Sequence, residues 1–349
     1  MPTKQEDFDQ LKSLISNEQP VLPFFKELNK TRRTRLGAPI RAFHNEMFER
    51  HSGKSYGEDF KYSLKSRSLY KTAFFLTANQ SQWEDRFWND YALSNEVVNE
   101  ILPWYKPVWY EDYLLERFKH DYKVLDYHKL MSMIHAGLIE PSNELIAIKV
   151  DAVCYEEVKG GWYNVSPSGY DYELLYKYPE TINEHFWLMF QYPCRIYYSV
   201  NDDEAESIKK HKYYWTHAIK QLLENNKIDR QRLIKECIQT GTKDFSEKQS
   251  MYYWSLLNDI ETTDAEYLAC QEDLFVSLNS EQNEVVKTVL KLIKKLCLED
   301  GFQTNVFLNE APVLLSSKNK TIVSSTSIIL EKLISIKPPT LLCLIIPRP

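Results

Sequence analysis

The sequence predicts an all-α fold: an irregular HEAT-like helix-pair solenoid, with an N-terminal helical region before it and a loop-rich insertion within it. Three observations carry this. Glycine is scarce, at 9 of 349 residues, which disfavours folds built on tight turns and Gly-rich phosphate loops. Apolar residues recur at helical spacing, in stretches of about 10–15 residues joined by connections of about 3–8. A local signature also recurs, in which a helix ends, a short turn carries an Ile, and a capped second helix begins. It spans 130–145 and 222–233, with a weaker echo at 298–308. One helix pair cannot bury its own apolar face, so such pairs must stack.

The elements follow in order. Phe8, Leu11, Leu14 and Ile15 mark an amphipathic helix, which Pro20 and Pro23 interrupt. Phe24, Phe25 and Leu28 begin a second, and the basic segment Lys30–Arg35 follows. Gly37 and Pro39 punctuate the chain before Phe43, Met47 and Phe48 resume the pattern. A polar loop at 52–57 leads to 70–76. Trp83, Phe87, Trp88 and Tyr91 recur at helical spacing, and Ser94 is placed to cap 97–102. Helices are expected at 108–119, at 125–136 with Gly137 as the stop, and from Ser142 onward. Residues 155–182 hold Gly160, Gly161, Pro167, Gly169 and Pro179 and read as a loop-rich insertion. Beyond Tyr213 the helices are clearest: to Leu223, from the cap Asp229 to Ile238, 246–260, 264–278 capped by Asp264, 285–298, 304–315 and 319–335. The predicted organisation is therefore an N-terminal helical region with the basic segment (1–80), a HEAT-like repeat (81–336) carrying the insertion, and a non-repeat tail (337–349).

Charge is distributed unevenly. The net charge is −6, which favours solubility and argues against wholesale binding to nucleic acid or anionic lipid. Residues 26–75 nevertheless hold 12 Lys/Arg against 5 Asp/Glu. Within that stretch Lys30, Arg32, Arg33, Arg35 and Arg41 are the candidate anion or nucleic-acid contacts, because guanidinium forks grip phosphate. The competing reading is a solvated helix end, or ion pairing with Glu27, Glu46 and Glu49.

Motifs for chemistry are missing. No GxxxxGK[ST], HExxH or GxSxG is present, and Ser52-Gly-Lys-Ser lacks the leading Gly and the preceding strand of a phosphate loop. His120, His128 and His135 are better read as packing residues and caps than as metal ligands, so no metal, cofactor or catalytic residue is assigned. The cluster Trp104, Tyr105, Trp109, Tyr110 and Tyr113 reads as filler between helices before it reads as a base-stacking platform. Six dispersed cysteines suit reduced core thiols in a cytoplasm. The first residues lack a signal-peptide pattern, and no apolar run reaches the length needed to span a bilayer.

Several segments resemble an uncharacterised bacterial family of HEAT-like repeat proteins related to proteins labelled molybdate-metabolism regulators. They are Leu102-Pro-Trp-Tyr-Lys-Pro-Val-Trp109, Tyr214–Leu222, Asn226–Leu233, Thr263–Tyr267, Val286–Lys295 and Pro312–Thr321. The resemblance implies a helical repeat, occasional gene neighbours of SWIM zinc-finger and MoxR/von Willebrand type, and no agreed catalytic residues. The expected function is a non-catalytic scaffold for protein–protein interaction. A second reading is a nucleic-acid-binding repeat using segment 30–41, and a third is an enzyme of unfamiliar type. Oligomeric state is not readable from the sequence.

Overall fold

The computed structural model describes residues 3–49, 60–87, 100–120, 126–154, 171–194, 196 and 214–336. Its described residues are helical, with no β-sheet among them. The chain divides into two compact units, 1–141 and 142–349. The division falls after Pro141.

In the first unit, α1 (Lys4–Ser16) starts with a capping box in which Thr3 and Glu6 satisfy each other's end of the helix. α2 (Leu22–Glu27) is short, and α3 (Lys30–Ala42) is capped by Asn29. Gly37 and Pro39 were expected to punctuate the chain, but both lie inside α3. An interior proline costs about 3 kcal/mol. Here Leu36 and Ile40 are fully buried on the same helix, and that burial outweighs the break. Gly37 sits at a close approach, where a Cβ would lie 3.0 Å from Arg41 Nη1 and 3.3 Å from the Thr77 carbonyl. α4 (His44–Met47), α5 (Leu64–Phe75), α6 (Gln80–Phe87), α7 (Tyr110–His120) and α8 (Tyr127–His135) complete the unit. α1, α3 and α5 pack on one another. Gly137 takes φ +65° after α8, as a stop signal requires. The Ser94 cap lies outside the described residues.

The core of this unit is aromatic. Phe74 meets Phe87 at 5.1 Å between ring centres, and Phe75 meets Tyr110 at 4.9 Å, both edge to face. Trp109 also packs edge-on against Phe75, at 5.9 Å. His44 is enclosed by Phe48, Tyr70, Phe74 and Phe87, and burial pushes its pKa down.

The second unit begins with α9 (Asn143–Val150), capped by Ser142 as the sequence indicates. Residues 155–170 lie outside the described part of the chain. The remainder of the expected loop is helical: a 3-10 turn at Tyr172–Tyr176, then a π-helical turn at Thr181–His185 running into α10 (Phe186–Leu188). Leu175, Ile182 and Phe186 are buried there, and that burial holds the turns in place. The tail 337–349 lies outside the described residues.

From α11 (Tyr214–Glu224) the helices alternate regularly. α12 (Arg230–Gln239) and α13 (Glu247–Asp259) are capped by Asp229 and Ser246. The stretch expected to be one helix from 264 is two, α14 (Asp264–Ala269) and α15 (Gln271–Ser277), broken at Cys270. Its cap is Thr263, one residue before the expected Asp264, in a capping box with Glu266. α16 (Asn283–Leu296), α17 (Thr304–Leu315) and α18 (Lys320–Ile336) follow.

Packing in this stretch has a pattern. α12 packs on α13, α15 on α16, and α17 on α18. Across these pairs, the first helices α12, α15 and α17 pack in succession, and so do the second helices α13, α16 and α18. α16 shows the cause. Val285, Val286, Val289, Leu290, Ile293 and Leu296 form a buried stripe, while Lys287, Lys291, Lys294 and Lys295 occupy the other side. Polar links join one pair to the next. Gln239 donates to Asp273 at 2.8 Å, Ser277 donates to the Ile238 carbonyl at 3.1 Å, and Lys332 donates to the Lys294 carbonyl at 3.1 Å.

Candidate functional site

Two places invite a functional reading: the basic segment in the first unit and a cleft in the second.

The basic segment 30–41 takes up nearly all of α3, and its side chains diverge. Arg32 Nε donates to Asp7 Oδ2 at 3.0 Å, and its Nη2 reaches Asp7 Oδ1, a bidentate pair with α1. Asp7 is only 3% exposed. The Arg32 hydrogen bonds hold its carboxyl below the usual carboxylate range, and Asp7 in turn raises the guanidinium pKa. Arg33 lies over the rings of Trp104 and Tyr105, at 5.1 and 5.2 Å from their centres. Arg41 Nη1 donates to Gln82 Oε1 of α6 at 3.2 Å. Lys30 and Arg35 are exposed. The five cations therefore form no single patch. Three of them tie α3 to α1, to the 104–105 turn and to α6. Glu46, one of the expected ion-pair partners, instead takes Lys12 at 3.1 Å and Lys61 at 3.4 Å, and accepts from Tyr62. Partial burial works against the Glu46 carboxylate, but Lys12, Tyr62 and Lys61 together bring its pKa below the ordinary value.

The cleft lies between α13 and α16, two consecutive second helices, with α14 at one end. Its volume is about 430 Å³, within the range of small-ligand pockets. Met251, Trp254 and Asn258 line it from α13, Tyr267 from α14, and Thr288, Lys291, Leu292 and Lys295 from α16. The spacings explain the arrangement. Met251, Trp254 and Asn258 share one face of α13, and Thr288, Lys291, Leu292 and Lys295 share one face of α16. Trp254 is 3% exposed, and its indole N–H has no acceptor among the described residues. Tyr267 is buried too, and burial pushes its phenol pKa up.

Its charge is one-sided. Lys291 and Lys295 line the cleft, and no carboxylate among the described residues does. Both lysines are exposed. Lys295 bonds Asp264 at 2.5 Å, whereas Lys291 makes no ion pair with any described residue. The cleft thus joins an indole, a phenol and aliphatic walls to a cationic lip in a chain of net charge −6. Sequence reasoning missed these residues, because the lysines of an amphipathic helix read as a solvated face. The one available signal was their i, i+4 spacing on α16 beside Leu292.

Among the described residues, no group of three or more His, Cys, Asp or Glu side chains is placed to hold a metal ion. No described helix is long and apolar enough to cross a membrane.

No curated protein and no solved structure shows significant similarity to the chain. A family model matches residues 5–321, spanning both units, and on that match the chain belongs to the family described as Domain of unknown function (DUF6493).

Proposed function

We propose that this protein is a non-catalytic binding module, a HEAT-like array of helix pairs that presents its second helices to a protein partner. The observation that carries the reading is the relayed packing of α12/α13, α15/α16 and α17/α18, first helix on first helix and second on second. Arrays of this kind present extended surfaces to their partners. The cleft between α13 and α16 lies on such a surface. A relation to the proteins labelled molybdate-metabolism regulators belongs to the same reading. So does a cytoplasmic location, which is supported by four buried cysteines that form no disulfide: Cys194, Cys237, Cys270 and Cys297. The test is affinity capture with the tagged full chain from its native host, with bound proteins identified by mass spectrometry. A reproducible stoichiometric partner is expected, and recovery of none above background overturns the reading.

A second reading keeps the nucleic-acid role of segment 30–41. Its support is the exposure of Lys30 and Arg35. Arg32, Arg33 and Arg41 are already engaged within the chain. Duplex DNA binding that weakens steeply with salt, and further on reversing the charge of Lys30 and Arg35, is what this reading requires.

A further inference from the structure

We infer that the α13–α16 cleft is a docking site for an acidic peptide segment of a partner protein. In this mode one apolar or aromatic side chain enters between Trp254 and Leu292, and flanking carboxylates meet Lys291 and Lys295. The inference rests on the binding-module reading above and names the chemistry of its partner.

Three observations converge. The first is charge complementarity. Among the described residues, the charged groups lining the cleft are the two lysines, and the nearby carboxylate of Asp264 is taken up by Lys295. Lys291 is left as an exposed cation with no anion beside it among the described residues, and Lys287 and Lys294 extend the positive side of α16. Glu284 offsets Lys287 at 2.7 Å, one turn away from Lys291. An anion entering here meets attraction without first having to displace a carboxylate from Lys291.

The second is the wall chemistry. Met251, Trp254, Tyr267 and Leu292 offer aliphatic and aromatic surface below the cationic lip. A purely inorganic anion would use only the lip, whereas a ligand with an apolar side chain uses both. Aromatic and Met-rich walls are the usual seat of a buried anchor residue.

The third is an unmet hydrogen bond. The Trp254 indole N–H is buried and lacks an acceptor among the described residues. Buried donors are nearly always satisfied. A backbone carbonyl of a bound peptide is an acceptor of the right kind, and the unbranched Met251 side chain beside it can shift to admit one. Ser255, Asn258, Lys291 and Lys295 are exposed at the cleft, so it is open to a ligand from solvent.

The experiment uses the full chain against an array of acidic nonapeptides in which the central position runs through every residue type. A matched array has each Asp and Glu replaced by Asn and Gln. Binding is expected for acidic peptides with Phe, Trp, Leu or Met at the centre, and weaker by at least tenfold for their amide counterparts. K291E should lower that binding at least tenfold, and S255W, which fills the mouth, should abolish it. Both substitutions are at exposed positions, and circular dichroism should report an unchanged fold. Raising salt from 50 to 300 mM should weaken binding to wild type. Absence of carboxylate-dependent peptide binding overturns the inference, and so does binding untouched by K291E and S255W. Equal binding of the isolated N-acetylated aromatic amino acid would also overturn it, since the site would then take a small molecule. A host partner captured equally by wild type and by K291E overturns the cleft assignment while leaving the module reading intact. Peptide binding without any captured host partner does the reverse.

Discussion

The two compact units are both helical, yet they are held together differently. In 1–141 the core is a cluster of rings around Phe74, Phe87 and His44, fixed from outside by arginines that reach from α3 to other elements. In 142–349, from α12 onward, successive helices pack in pairs, with an aliphatic stripe on α16 and short polar links between pairs. The first arrangement depends on particular residues meeting across the sequence. The second depends on contacts that fall between successive helix pairs. A unit of the first kind should therefore fail at single points, whereas one of the second kind should lose stability in proportion to the interface damaged.

The largest expected effect breaks the ring cluster. Phe74 is 1% exposed and touches His44, Tyr70, Trp83 and Phe87. Phe74→Ala should cost about 4 kcal/mol, read by urea denaturation, with hydrogen exchange rising in α3, α5 and α6. The matching cut in the second unit, Leu290→Ala on α16, should cost about 3 kcal/mol, with faster exchange in the adjoining α13, α15 and α18. Unchanged exchange in those neighbours would show that the pairs are not coupled as their contacts suggest.

Next comes the arginine hub. Arg32→Ala leaves the Asp7 carboxylate without its partner, and should lower the urea midpoint measurably. Arg35→Ala, at an exposed position on the same helix, should stay within about 0.5 kcal/mol. Equal effects of the two would mean that the Asp7 pair does not anchor α3.

The smallest effect concerns Glu266, which caps α14 and accepts from Arg230 at 2.6 Å. The Arg230 hydrogen bonds, aided by the Thr263 amide and hydroxyl, hold its pKa down to about 2 from an ordinary 4.5. A carboxylate lowered in the folded state contributes stability that is fully present above the unfolded value and lost as pH falls through the folded one. Glu266→Ala should therefore cost about 1–2 kcal/mol near neutrality, through the lost cap and ion pair. The gap to wild type should close as pH falls from about 4.5 towards about 2. A gap that persists at the acid end would assign the effect to packing.

What was legible in the sequence follows the same contrast. Asp229 was readable as a cap because a cap acts on a backbone amide three residues away. The buried stripe of α16 was readable because 3.6-residue periodicity is written in one contiguous segment. Helix α3 was not. Gly37 and Pro39 are local break signals, and they were overruled by burial of Leu36 and Ile40 against elements elsewhere in the chain. The basic run looked like a surface patch because nothing in 30–41 shows that Asp7, 25 residues earlier, would claim Arg32.

By itself, then, the sequence determined the all-helical class, most helix boundaries in 214–336 and the Asp229 cap, since each of these depends on side chains within a turn or two of one another. The tertiary structure alone decided which arginines stay exposed, where the helix breaks at Cys270, and that Trp254, Tyr267 and Lys291 line one cleft. Those outcomes depend on which helix faces come to lie together, and that is set by the packing energy of the whole unit, to which no short segment holds the answer.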